Sequence, residues 1–424
     1  LTVNEQLRPE TGDADFLLNP AGVLGALRET HGPVVAGVGE KFGEVQLPVM
    51  FAAPRDRESY LILSYAGVLE ALRHPSVSHD VFAHTSERVM GRALIGQDAP
   101  VHTILRRLLM SGFTPTQVDW WEKRGIIPAL TSTLDSLVGV ERFDLVHDLA
   151  AVYPYLVITN ILGLPDDERE WATKMVLSMI AIASRPIEAF DASHRLADYF
   201  RMHIARKRAE PKEDFISTLV NAELEDGRKL TDDELVNFLR HLLLAGIETT
   251  YSTTGCLMHH LLALPERWEK LKSDPQKYIP AAIEETLRTE PAGAYFPRIT
   301  REEITIEGVT IPADTWLFVS LVTANREPTR WERPDEFDLD RPSRSHLAFA
   351  AGPHTCIGMH LARRELTLFL RMLIERFPVL ALDPDTELVP ITGIVGRHPD
   401  SLKVVKPVGI GHGSMAPGRR HRAN

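Results

Sequence analysis

Cysteine is nearly absent. The 424 residues hold two, Cys256 and Cys356, 100 positions apart. Two thiols so placed, with no close Cys or His spacing, make neither a zinc nor an iron–sulfur set. Few cysteines and no secretion signal fit a reducing compartment, so a cytoplasmic protein is expected. No stretch of about 18 consecutive apolar residues occurs, which excludes a predicted membrane-spanning helix. The segment 1–16 is polar and is expected to carry no anchor. Positive charge is the scarcer sign: 47 Lys and Arg against 58 Asp and Glu give a formal net charge of −11. That argues against general nucleic-acid binding. Neither a Gly-rich phosphate loop nor a Gly-x-Ser-x-Gly elbow is present.

Linkers and repeats are missing too. Turn signals are spread evenly, and 44% hydrophobic content supplies a sizeable core. One large domain over residues 1–406 is expected. Residues 407–424 are Gly-rich and end in Arg419-Arg420-His421-Arg422, which predicts a flexible basic tail.

What is present is mostly helical periodicity, over about 100–290 and 359–377. Two regions look like strands. Residues 45–64 alternate and are expected to form a hairpin across Pro54–Ser59. Residues 301–323 contain Ile304–Ile306, a turn at Glu307-Gly308, Val309–Ile311 and Trp316–Val319. The fold class is therefore mainly α with small β-sheets.

Three motifs carry chemistry. The first is Phe349-Ala-Ala-Gly352-Pro353-His354-Thr-Cys356-Ile-Gly358, just before a predicted helix over 359–377. A thiolate there sits near a helix N-terminus, where free N–H groups favour negative charge. Gly352 and Gly358 are expected to permit turns that a Cβ forbids. Such a sulfur is a metal ligand or a nucleophile; the alternative is a buried structural cysteine.

The second lies in the longest predicted helix. Thr231-Asp-Asp-Glu234 is a capping box, and Pro265 is the stop. In between sits Ala245-Gly246-Ile247-Glu248-Thr249-Thr250. Gly, an acid and paired threonines at a helix centre predict a disrupted helix that leaves room for a ligand. A kinked core helix with a buried acid is the other reading. The third is Glu285-Thr-Leu-Arg288 in a helix expected to open at Pro280. Three apart, the two charges share a face, as a surface pair or a buried one.

Together these resemble the cytochrome P450 family. The cysteine run matches its haem-ligand loop at Phe349, Gly352, Cys356 and Gly358. The helix centre resembles its oxygen-binding groove, and Glu285/Arg288 its core pair, completed by an arginine matching Arg341. The resemblance implies the P450 fold, with haem b buried between the long helix and the cysteine loop. It implies Cys356 as the axial thiolate and metal ligand, and Ala245 and Gly246 lining the opposite side. Thr249 and Glu248 are implied as the catalytic pair that delivers protons where dioxygen binds. Haem carries two propionates, and His102, Arg106, Arg298 and His354 match the residues that bind them.

The implied activity is monooxygenation of a hydrophobic small molecule: a terpenoid, steroid, fatty acid or macrolide-like compound. By position, Met90, Leu94, Met179, Ile182, Leu242, Ala294, Phe296 and Val395 would line its pocket. Electrons would come from NAD(P)H through a separate ferredoxin and ferredoxin reductase, docking on a basic face around Arg106, Arg107, Arg344, Arg363 and Arg364. A monomer is expected. Two rivals remain at this level. One is a haem-thiolate enzyme of other outcome: coupling, desaturation or peroxide-driven oxidation. The second is a non-catalytic haem-binding or gas-sensing protein.

Overall fold

The computed structural model describes residues 14–37, 58–84, 87–180 and 185–406. The predicted tail at 407–424 lies outside them. The helices that frame the site are α1 (Val101–Met110), α2 (Tyr153–Leu162), α3 (Pro186–Ala209), α4 (Asp232–Ala263), α5 (Pro275–Thr289) and α6 (Met359–Arg376). The main sheet uses β1 (Val34–Ala36), β2 (Ser59–Ile62), β3 (Val77–Ser78), β4 (Tyr295–Thr300) and, beyond the hairpin β5 (Ile304–Ile306) and β6 (Val309–Ile311), β7 (Trp316–Ser320). Its strand order is β1-β2-β7-β4-β3.

Strands β2 and β7 are buried along their whole lengths and pair in parallel, Ser59 with Trp316 through Ile62 with Val319. Both edges of β2 are therefore taken, by β7 and by antiparallel β1. This corrects the local hairpin expected over 45–64. The distant β7 competes successfully because two buried apolar strands gain more from pairing in the core than from an exposed turn. The partner arm, 45–57, lies outside the described residues. The β5–β6 hairpin forms as predicted, with Glu307 (φ 49°) and Gly308 (φ 77°) making its tight turn.

Helix α4 starts as its sequence says. The Glu234 N–H donates to Thr231 Oγ1 at 3.2 Å, and the Thr231 N–H donates to Glu234 Oε2 at 2.8 Å. The expected disruption at its centre is absent: the helix is continuous from Asp232 to Ala263. Hydroxyls along its centre donate back to carbonyls four residues earlier, Thr249 to Ala245 at 2.7 Å and Thr253 to Thr249 at 2.8 Å. That geometry satisfies the hydroxyl without breaking the helix. Gly246 also serves packing: a Cβ there would lie 2.9 Å from Ile158 Cγ1 of α2.

Helix α5 begins at Pro275, capped by Asp274, not at Pro280. Pro280 sits inside it and only frees one carbonyl near its start. Glu285 and Arg288 are buried, which decides between surface and core. Arg288 donates to Glu285 through Nε and Nη2, both at 2.8 Å, and to the carbonyls of Asn325, Pro334 and Glu336. Arg341 Nε donates to Glu285 Oε1 at 2.9 Å, completing the predicted triad.

Removing the carboxylate leaves two guanidiniums buried and unpaired. Glu285→Ala is expected to cost about 3–5 kcal/mol. The same change at exposed Glu332 should stay within about 0.5 kcal/mol. Urea denaturation of both variants is the measurement; equal losses would refute a buried, structure-bearing triad.

Candidate haem site

The cysteine loop is built by close backbone approach. The Cys356 N–H donates to the Phe349 carbonyl at 2.9 Å, closing the loop. Ala350 (φ 56°) and Gly352 (φ 73°) turn left-handed. A Cβ on Gly352 would lie 2.6 Å from the Leu72 carbonyl oxygen, so glycine is required there. Gly358 differs from expectation. Its φ is −86° and a Cβ would meet no protein atom within 4 Å. The turn does not need it; the glycine leaves open room beside the sulfur.

The Cys356 thiol is exposed, set in a hollow of the fold. Surrounding protein pushes its pKa up, opposed by the Gly358 amide and then by Arg106 and Arg363. The loop alone therefore does not hold a resting thiolate, contrary to the sequence expectation. A positive metal ion would supply what is missing. Arg363 lies over the Phe349 ring at 4.6 Å and donates to Glu284 at 2.6 and 2.8 Å. His346 contacts the same carboxylate at 3.1 Å. Burial raises the Glu284 carboxyl, but these partners win and hold it at about 2. Cys256, by contrast, is a buried core residue, with Sγ 3.2 Å from the Arg397 carbonyl.

The predicted cations converge. His102 and Arg106 share one face of α1. His102 is 2% exposed and stacks on His354, centroids 3.8 Å apart. Arg106 donates to the Thr355 carbonyl at 2.6 Å, one residue from Cys356. Arg298, on β4, is 4% exposed and donates to the Pro297 carbonyl. His102 Nε2 and Arg298 Nε are buried without a hydrogen-bond partner among the described residues. Burial lowers every member: Arg298 to about 9, His102 to about 4 with help from Arg106, and His354 to about 3 with help from His102 and Arg298. Unpartnered buried donors at one place call for an anion.

On α4, Ala245 and Thr249 are exposed although Leu242, Leu243, Ile247 and Thr250 are buried. One turn of an otherwise buried helix thus opens on a hollow. These features fit a large flat group bearing an iron for the thiolate and two acids for the cations. The expected pocket residues fall into two apolar clusters. Met90, Met179 and Leu242 belong to the main core, with Leu94 packed against it. Ala294 lies in a second cluster, flanked by half-buried Phe296 and Val395. Ile182 lies outside the described residues.

The expected basic face is largely neutralised. Arg107 pairs with Glu225, Arg363 with Glu284, and Arg364 with Glu122 and Asp119. Arg344 donates to the Arg330 carbonyl. Sequence reasoning also missed His79, Asp98 and Glu284. Their partners lie across strand pairings or a helix interface, so no local spacing announces them. Among the described residues no helix is long and apolar enough to cross a membrane.

Glu248 lies apart from Thr249. A Cβ on Gly396 would come within 2.8 Å of Glu248 Oε1, so the carboxyl rests against that turn (φ 63°). Burial pushes its pKa from the ordinary 4.5 up to about 7. Between those values the unfolded chain has released the proton and the folded chain has kept it. Stability is expected to fall as pH rises through that window, by up to about 1.4 kcal/mol per pH unit. Glu248→Gln should remove that slope; urea titrations across the window, with identical slopes in both proteins, would refute the assignment.

Comparison with known proteins gives one answer. The family described as Cytochrome P450 matches residues 188–405. The monooxygenase PikC of Streptomyces venezuelae is 33% identical over 342 residues, 78% of this chain and 80% of that protein. A steroid C26-monooxygenase of Mycobacterium tuberculosis is 32% identical over 348 residues, 80% of this chain and 92% of its own. The solved structure of PksS, a cytochrome P450 of the Bacillus subtilis bacillaene polyketide synthase, superposes with a TM-score of 0.82 at 28% identity, covering 93% of this chain and 98% of that one. A chain that is about one-third identical to such enzymes over most of its length, and shares their fold, belongs to the cytochrome P450 family: it is a haem-thiolate monooxygenase.

Proposed function

We propose the following assignment of roles within residues 1–406, taken as one haem domain. Cys356 is the iron ligand. Phe349 packs beside the loop, and Gly358 leaves room next to the sulfur. His102, Arg106, Arg298 and His354 bind the two acid groups of haem b. Ala245 and Thr249 belong to the opposite wall. The observation that carries this reading is the meeting of dispersed cations, two with unpartnered buried nitrogens, beside an exposed thiol.

When bound, the haem supplies dioxygen activation and one-electron chemistry, and its thiolate ligand favours O–O cleavage. The protein's part is positioning and proton control. The Gly358 amide and the Arg106 and Arg363 guanidiniums stabilise negative charge on sulfur. Glu248, poised at about 7, both gives and takes a proton near neutral pH. Thr249 presents its Oγ1 on the exposed face of α4.

The substrate is a hydrophobic molecule held by Met90, Leu94, Met179, Ile182, Leu242, Ala294, Phe296 and Val395. Apolar walls with few polar groups suit a steroid, terpenoid, fatty acid or macrolide-like compound. The names of the steroid C26-monooxygenase and of PksS favour the steroid and polyketide classes. Bacterial P450s use redox partners, and we assign that role to a ferredoxin and its reductase drawing on NAD(P)H. The paired arginines on the expected docking face leave little net charge to steer it.

Two variants test these roles. With carbon monoxide, the reduced protein should show the strongly red-shifted Soret band of thiolate ligation. Cys356→Ala should lose it, and a band that persists would reject the ligand. Thr249→Ala should keep consuming reductant while product falls at least about tenfold and peroxide accumulates. Unchanged coupling would remove Thr249 from proton delivery.

A further inference from the structure

Strand pairing places one more ring in the cation cluster. The β3–β4 register runs Val77 to Thr300 and Ser78 to Ile299. His79 follows directly, just past the last paired residue, and the Arg298 guanidinium acts on its ring. His79 is 5% exposed. Its N–H donates to Asp98 Oδ1 at 3.0 Å, and its Nδ1 lies 3.0 Å from the Ile95 carbonyl oxygen. A carbonyl only accepts, so Nδ1 carries the hydrogen and donates it.

The His79 ring lies flat on His354, with centroids 3.4 Å apart and planes 12° apart. His354 lies on His102 in turn, at 3.8 Å and 27°. Three imidazoles from three separate segments therefore form one stack beside buried Arg298. The carboxylate acting on His102 and His354, Asp98, is already engaged by Ser78 Oγ, the His79 backbone N–H and Arg301. Burial, then Arg298 and His354, hold the His79 imidazole far below its ordinary range. Stacked imidazoles repel when charged, so this column stays neutral until an anion comes against it.

We propose that His79 is a cofactor-positioning residue. Its ring fixes the orientation of His354, and its capacity to take a second proton, on Nε2, offsets part of the negative charge of the haem acid groups. This rests on the haem-thiolate reading above. Two effects follow, separable by substitution. His79→Phe keeps a ring to stack on His354 but removes the capacity for charge. His79→Ala removes both.

The first readout is haem transfer from the ferric holoenzyme to excess apomyoglobin. His79→Ala should lose haem about tenfold faster than wild type, a usual size for an outer-shell partner. His79→Phe should lose it more slowly than His79→Ala. Equal transfer rates in the two variants would overturn the stacking role. The second readout is the ferric/ferrous midpoint potential at neutral pH. Losing a group that offsets nearby negative charge disfavours reduction, so His79→Phe should have a lower potential than wild type. An unchanged potential would overturn the charge role, and a merely structural ring would leave it unchanged. If His79→Ala fails to fold, His79→Leu replaces it in the transfer comparison. The carbon monoxide band of the wild type is recorded first. Its absence would reject the haem-thiolate reading, whereas a normal band with unmoved His79 variants would reject this proposal alone.

Discussion

One turn of helix α5 carries two adjacent carboxylates, and the haem side of the molecule hangs on them. Glu285 turns into the core and joins Arg288 to Arg341, with the Asp338 N–H as a further donor at 3.0 Å. Glu284 turns towards the cysteine helix and takes Arg363 and His346. The first ties the helix to the segment 325–341; the second ties it to the loop that presents Cys356. Arg363 then reaches both the Phe349 ring and the field at the sulfur. Neither carboxylate is cheap to bury, and each is held ionised only because its cations are fixed by other bonds. Their positions are thus mutually enforced, which is how a loop of ten residues acquires a defined geometry.

The opposite imbalance prevails beside that loop. There the buried groups are cationic or could become so, and carboxylates are scarce. His79, His102, His354 and Arg298 are all pushed towards neutrality by burial, and His79 and His354 also by Arg298 and by neighbouring rings. The fold tolerates this because imidazole can shed its proton, whereas arginine must be packed against carbonyls. A seat of this kind is prepared for negative charge, and its unpartnered nitrogens leave part of its stability to the anion that fills it.

Much of this was legible in the sequence, for stated reasons. The capping box of α4, the β5–β6 turn and the helix after Gly358 are encoded within a few residues, and they form where expected. The Cys356 loop and the Glu285–Arg288–Arg341 set were legible through resemblance. What failed was non-local. The strand pattern at Tyr60–Leu63 was correct, but its partner came from Trp316–Ser320. Gly246 was expected to admit a ligand, yet Ile158 fills its space. Pro280 looked like a start signal and sits inside a helix begun by Pro275. The thiol needed its tertiary surroundings before its charge could be judged. His79 looked like one histidine among many, because its neighbours Asp98, Arg298 and His354 come from distant segments.

The back-bonded hydroxyl of Thr249 gives the site a direction. Its one hydrogen is committed to the Ala245 carbonyl at 2.7 Å. In that rotamer the oxygen offers only lone pairs towards the hollow, so it greets an arriving water or alcohol as an acceptor. To act as a donor its hydroxyl must first rotate about the Cβ–Oγ1 bond and forfeit the carbonyl. Any relay through this residue therefore has a resting polarity, and reversing it is a rotor step set by the helix backbone itself.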